Sequence, residues 1–160
     1  MKYLFLLIFL MINKNIFALE MSCLFEEVYK NGEAQQGLLI VKNDKFRYQY
    51  FSKDLYTIIY NESLFFYLQN RDKTKFYRLK QNTEALEIVI SIINDFPNIK
   101  DQYYLENTLV KVEKSNSSKI AKRIVILSND LNMSIYIKDC KNNLVKNRYF
   151  SYSPFWEYKP

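Results

Sequence analysis

Leu55-Tyr56-Thr57-Ile58-Ile59-Tyr60, then Asn61-Glu62-Ser63, then Leu64-Phe65-Phe66-Tyr67-Leu68: this stretch decides the fold. Aromatic and β-branched residues fit a pleated, half-buried surface, and the polar triplet between the two runs is turn chemistry, so the text predicts two adjacent strands. Both strands are apolar on both alternating faces. A sheet with one wet face alternates apolar with polar, so two greasy faces need either a cover on each side or a cavity to line. Working outward, short apolar runs recur at 23–30, 35–42, 46–51 and 75–79. Asn31-Gly32, the strongest short hairpin signal, separates the first two, and Asn43-Asp44 the next pair. Further runs fall at 108–113, 120–128, 131–137 and 144–152, divided by polar turns at 115–118, Asn129-Asp130 and Lys141-Asn142-Asn143. The tail 153–160, with the single Trp156, is assigned to a sheet edge. Turns this regular predict an antiparallel meander in one domain rather than βαβ crossovers.

One helix interrupts the series. Asn82 or Thr83 supplies an N-cap, Glu84 and Glu87 suit the first turn, and Asp95-Phe96-Pro97-Asn98 ends it. Its polar residues fall on one narrow stripe, whereas an ordinary surface helix is apolar over little more than 100°. It is therefore enclosed on most sides, either as core on a curved sheet or as a plug in a concavity that a ligand can claim.

The bulk composition agrees. Aromatic residues make up 17% of the 160, while 2 Gly and 3 Pro leave the turns to Asn, Asp, Ser and Lys. The net charge is +6, but Lys and Arg are scattered without a run of five, which reads as a solvated basic surface. Aromatic–basic triplets such as Phe46-Arg47-Tyr48 and Phe76-Tyr77-Arg78 could stack on single strands. An exported chain rarely meets such a partner, so no nucleic acid is expected. There is no His, which removes Ser-His-Asp and Cys-His catalysis, and the glycines at 32 and 37 cannot cradle a phosphate. Glu26-Glu27 and Asp101 read as exposed surface carboxylates. Neither an enzyme, a metal site nor a cofactor is expected.

Lys2, the apolar run 3–12, a polar Asn13-Lys14-Asn15 and Ile16-Phe17-Ala18 have the layout of a cleaved secretory leader over 1–18, leaving 19–160 as the domain. The run is too short for a membrane span of ~20 apolar residues. Glu20-Met21-Ser22 is a poor approach for lipidation of Cys23. In an oxidising compartment Cys23 and Cys140 either form a disulfide or remain two unrelated buried thiols.

Residues 37–79 resemble the LolA-like family of periplasmic outer-membrane lipoprotein carriers. The likeness is carried by Gly37-Leu38-Leu39-Ile40-Val41-Lys42, Phe46-Arg47-Tyr48-Gln49-Tyr50, Tyr56-Thr57-Ile58-Ile59 and Asn61-Glu62-Ser63-Leu64-Phe65-Phe66-Tyr67, with a helix at 83–96 where the family has one. The departures are a Lys42-Asn43 turn without Pro, Tyr60-Asn61 in place of Asp-Gly, and a missing or shortened N-terminal helix whose remnant would be Phe25-Glu26-Glu27. The chain would be a divergent, short member. The resemblance implies a mainly β (α+β) fold: a curved antiparallel sheet forming an incomplete barrel, with a hydrophobic helix as lid or plug on the concave face. It further implies a periplasmic monomer that moves acylated lipoproteins from an inner-membrane lipoprotein-releasing ABC transporter to an outer-membrane acceptor. The lipid-binding cavity would be lined by Leu39, Val41, Phe46, Tyr48, Ile58, Phe65, Tyr67, Leu86, Val89, Ile90 and Ile93. Lys42, standing where the family has an Arg, and Arg47 would latch the lid. The rival expectation is a structural or adaptor β domain of the envelope whose core is simply full.

Overall fold

The computed structural model describes residues 19–61, 64–72, 74–78, 84–96, 98–115, 120–129 and 131–151. The leader, the Asn82 or Thr83 cap, the tail with Trp156 and the side chain of Leu86 lie outside them. The elements are β1 (Glu20–Tyr29), β2 (Ala34–Lys42), β3 (Lys45–Tyr50), β4 (Tyr56–Asn61), β5 (Leu64–Gln69), β6 (Phe76–Arg78), α1 (Glu84–Asn94), β7 (Gln102–Leu105), β8 (Thr108–Lys114), β9 (Ala121–Leu127) and β10 (Asn132–Lys141). A 3-10 turn at Asn147–Phe150 follows.

All ten strands join one antiparallel sheet in the order β6-β5-β4-β3-β2-β1-β10-β9-β8-β7. Every strand lies beside its chain neighbour except β6 and β7, which form the two edges and are joined through α1. Pairing of β1 with β10 brings the two halves of the meander together, and the barrel stays open between β6 and β7.

One apolar cluster runs from Phe65 on β5 to Tyr103 on β7 and includes Ile88 and Ile92 of α1. Eight strand spacings of about 4.8 Å would make a flat sheet ~38 Å wide. An 11-residue helix is only ~16 Å long. A single helix can sit within that cluster only because the sheet curls around it.

Three expectations need correction. First, Gln102–Leu105 is a strand that the turn pattern did not announce, because its hairpin turn is closed by Glu106 at φ 41 without any glycine. Second, 144–152 was expected as a strand, but the chain leaves the sheet after Lys141. β1 is already paired on both sides, so no ladder position remains there. Residues 142–151 instead cross the outer face as a strap. Third, Phe25-Glu26-Glu27 is β1 strand and carries no helical remnant.

Cys23 and Cys140 are disulfide-bonded across β1 and β10. The register slips here: Ser22 pairs with Lys141 but Leu24 with Lys138, so Asp139 and Cys140 face the single residue Cys23. Asp139 absorbs the extra residue at φ 50. This bulge roots the strap.

Gly37 has a packing reason. It pairs with Phe25 on one side and Tyr50 on the other, and a Cβ there would lie 2.3 Å from Phe25 Cζ and 2.2 Å from the Gln49 carbonyl oxygen. The Phe25 ring takes the space that a side chain at 37 would fill and stacks on Tyr48 at 3.9 Å. Gly37→Ala is expected to destabilise the fold by roughly 1–3 kcal/mol through overpacking. Chemical denaturation of the variant measures this, and an unchanged midpoint would refute the close approach.

Candidate functional site

Side-chain alternation sorts the sheet into two apolar faces. Leu39, Val41, Phe46, Tyr48, Ile58 and Phe65 all point inward, in the cluster that includes α1. Leu38, Ile40, Ile59 and Leu68 point outward, where Val145 and Phe150 of the strap cover them. Of the residues expected to line a cavity, Val89, Ile90 and Ile93 of α1 also pack on the inner cluster. Tyr67 stands at its rim, stacked on Tyr56 at 4.2 Å.

Beneath α1 lies a partly open cavity of about 60 Å3, lined by carbon from Leu39, Val41, Tyr48, Val89 and Ile93. Phe46, Ile58, Phe65, Tyr67 and Ile90 do not border it. Its remaining wall includes residues not expected to line it: Met21 and Phe25 of β1, Ile124 of β9, Ile135 and Ile137 of β10, and Ile92 and Phe96 at the helix. Period-two alternation in 121–127 and 132–138 is the signal that would have found the sheet half. Among the described side chains of α1, Ile88 and Ile92, one turn apart, are the most deeply buried, while Glu87, Ser91 and Asn94 face solvent.

Lys42 and Arg47 do not latch α1. They alternate with Val41 and Phe46 and therefore emerge on the outer face. The Lys42 ammonium donates to the Val145 carbonyl at 2.8 Å and pairs with Glu20 at 3.1 Å, while Glu20 accepts the Val145 N–H at 3.0 Å. The Val145 N–H, then Lys42, hold the Glu20 carboxyl below the usual carboxylate range. The Arg47 guanidinium donates to the Tyr149 carbonyl at 3.1 Å and to Gln49 at 2.9 Å. Burial pushes its pKa down to about 10. Both cations hold the strap. They donate to the backbone carbonyls of Val145 and Tyr149, which lie outside the sheet ladder. Phe46 and Arg47 are themselves buried, so the first aromatic–basic triplet offers nothing to a nucleic-acid base.

Glu27, expected at the surface, is only 3% exposed and faces inward in line with Cys23 and Phe25. Its carboxylate accepts the Tyr48 hydroxyl at 2.7 Å, the Tyr29 hydroxyl at 2.6 Å, and the Tyr50 hydroxyl at 2.9 Å to each oxygen. Burial first, and then the Glu27 charge, raise Tyr48 and Tyr50 well above the ordinary phenol range. Tyr29 is raised by burial and by its bond to Glu27. Among the described residues Glu27 makes no ion pair.

Polar ties between α1 and the sheet, among the described residues, gather at its C-terminal end. Asp95 accepts the Tyr103 hydroxyl at 3.0 Å and pairs with Lys100 at 3.4 Å. Among the described residues, its body meets the sheet through the apolar side chains of Ile88, Val89, Ile90, Ile92 and Ile93. Compared with known proteins, the chain matches no family model and no curated protein.

Proposed function

We propose that the chain is an exported carrier that holds the acyl chains of lipoproteins against the inner face of its open barrel, with α1 as the lid. The observation that carries this reading is the carbon-lined cavity directly beneath a helix whose polar ties, among the described residues, lie at its C-terminal end. The disulfide suits an oxidising compartment, as does the leader-like text of 1–18. Delivery between membranes, and the transporter and acceptor that would flank it, follow from the resemblance.

The arithmetic makes the helix the moving part. A water's share of liquid volume is about 30 Å3, so 60 Å3 admits a group or two and not an acyl chain. Each buried CH2 contributes ~0.8 kcal/mol, so a chain can displace Val89, Ile92 and Ile93 by offering equivalent apolar surface to the same walls. Non-directional contacts permit that exchange, and the Asp95–Tyr103 bond leaves a pivot.

The small volume also supports a second reading, a structural or adaptor domain of the envelope whose interior is nearly full. Uptake of a fluorescent acyl probe separates the two. The carrier binds it at micromolar concentration, Val89→Glu abolishes binding by placing a charge in the cavity wall, and Ser91→Glu on the exposed stripe leaves it unchanged. Absence of uptake by the wild type at micromolar probe would rule the carrier out and leave the adaptor.

A further inference from the structure

The inner face is apolar almost throughout, and a carboxylate at its heart needs an explanation. Glu27 lies one strand pair from the cavity: it is directly opposite Ile135, which lines it. Tyr48 bridges the two regions, since its ring borders the cavity while its hydroxyl donates to Glu27. Phe25, two residues before Glu27 on the same face, also borders the cavity and stacks on Tyr48. An apolar chain taken up along this wall once α1 has moved would end against the Glu27 carboxylate, which the hydroxyls of Tyr29, Tyr48 and Tyr50 cover. No cation offsets that charge among the described residues. A fold wanting only stability would place an apolar side chain here, because a buried unpaired charge is costly.

We propose that Glu27 with Tyr29, Tyr48 and Tyr50 is a polar end-stop that selects ligands by head-group charge, accepting acyl chains with an uncharged or cationic head and rejecting free fatty-acid carboxylates. The proposal rests on the carrier reading and names the ligand class of that same cavity. The chemistry is that of like charges in a site poor in water. A second carboxylate brought beside Glu27 must repel it or take up a proton, and either weakens binding. An ester or amide has no such penalty, and its oxygen accepts from a phenol turned away from Glu27. The phenols are hard to ionise, so they remain donors at neutral pH. The overall charge of +6 favours the opposite outcome, attraction of anionic lipids, but that acts through solvent and fades with salt.

The test is displacement of a fluorescent acyl probe from the full mature chain by three amphiphiles of equal chain length: a fatty-acid carboxylate, its monoacylglycerol and the corresponding alkylamine. The wild type is expected to bind the neutral and cationic competitors about tenfold or more tightly than the carboxylate, at low and high salt alike. Glu27→Gln keeps the shape and an acceptor oxygen but removes the charge, and it should narrow the gap to about twofold. Tyr48→Phe, which exposes Glu27 to the cavity while keeping the ring, should widen it, and serves alone if Glu27→Gln does not fold. Equal affinities in the wild type, or a gap that neither variant moves, overturn the end-stop while leaving the carrier standing. Failure of the probe to bind at all overturns both.

Discussion

Cys140→Ser is expected to lower the free energy of unfolding by roughly 5 kcal/mol. The bond closes a loop of 117 residues, nearly the whole meander, and the chain-entropy treatment gives a constraint of that size on the unfolded chain. For a domain of this length the loss corresponds to roughly 10–20 °C in melting temperature. The native structure adds a second reason. Cys23 is only 1% exposed, so a serine at 140 leaves a hydroxyl and a thiol facing one another in the bulge. The bond also sits where β10 gives way to the strap, and Ser22 reaches Asn143 at 3.3 Å just beyond it. Urea unfolding of the wild type with and without reductant, beside the variant, measures the effect. Reduced wild type should match Cys140→Ser, and coincidence of all three curves would mean that the bond carries no stability.

Much of the architecture was legible because turn chemistry and period-two patterning are local. Asn31-Gly32 marks a hairpin in which Gly32 takes φ 86, and the runs at 35–42, 46–51 and 64–68 fall within a residue or two of β2, β3 and β5. Where the sequence reading failed, it failed for identifiable reasons. Val41 was assigned to the cavity and Lys42 to a latch on the lid above it, yet adjacent strand residues point to opposite faces, so both could not hold. Applying alternation to 41 and 42 together would have sent Lys42 outward without any coordinates. The same rule puts Glu27 in line with Cys23 and Phe25. Its acidity suggested surface only because its partners, Tyr48 and Tyr50, are 21 and 23 residues distant and reach it across β2 at the bare backbone of Gly37. Local alternation picks out Ile124, Ile135 and Ile137 as one face of their strands, but that this face forms the far wall of the cavity follows from the pairing of β1 with β10, which is long-range. The strap was misread for a related reason. Residues 144–152 have strand-like composition, but whether a strand forms depends on a free ladder edge, and that is decided by topology.

The strap also yields the second large effect. Phe150 is fully buried against Leu38, Ile40, Ile59 and Leu68 on the outer face, and Val145 fills the same cluster. These outward residues are the reason the strands read as apolar on both sides. Without a cover, β2, β4 and β5 would present a contiguous apolar patch to water. Phe150→Ala removes a fully buried side chain of that cover and is expected to cost about 3–5 kcal/mol, the range for truncating a buried Phe to Ala. Leu144, 94% exposed on the same strap, gives the control: Leu144→Ala should change stability by less than about 0.5 kcal/mol. If the strap were a loosely laid tail, both variants would be silent in denaturant titrations. If it is the second layer of the fold, Phe150→Ala should also raise binding of a hydrophobic dye at the outer face. Probe uptake in the cavity under α1 should stay near wild type, because the sheet separates the two cores. A loss of both would mean that the cores melt as one and that the outer layer helps to hold the curvature on which the inner site depends.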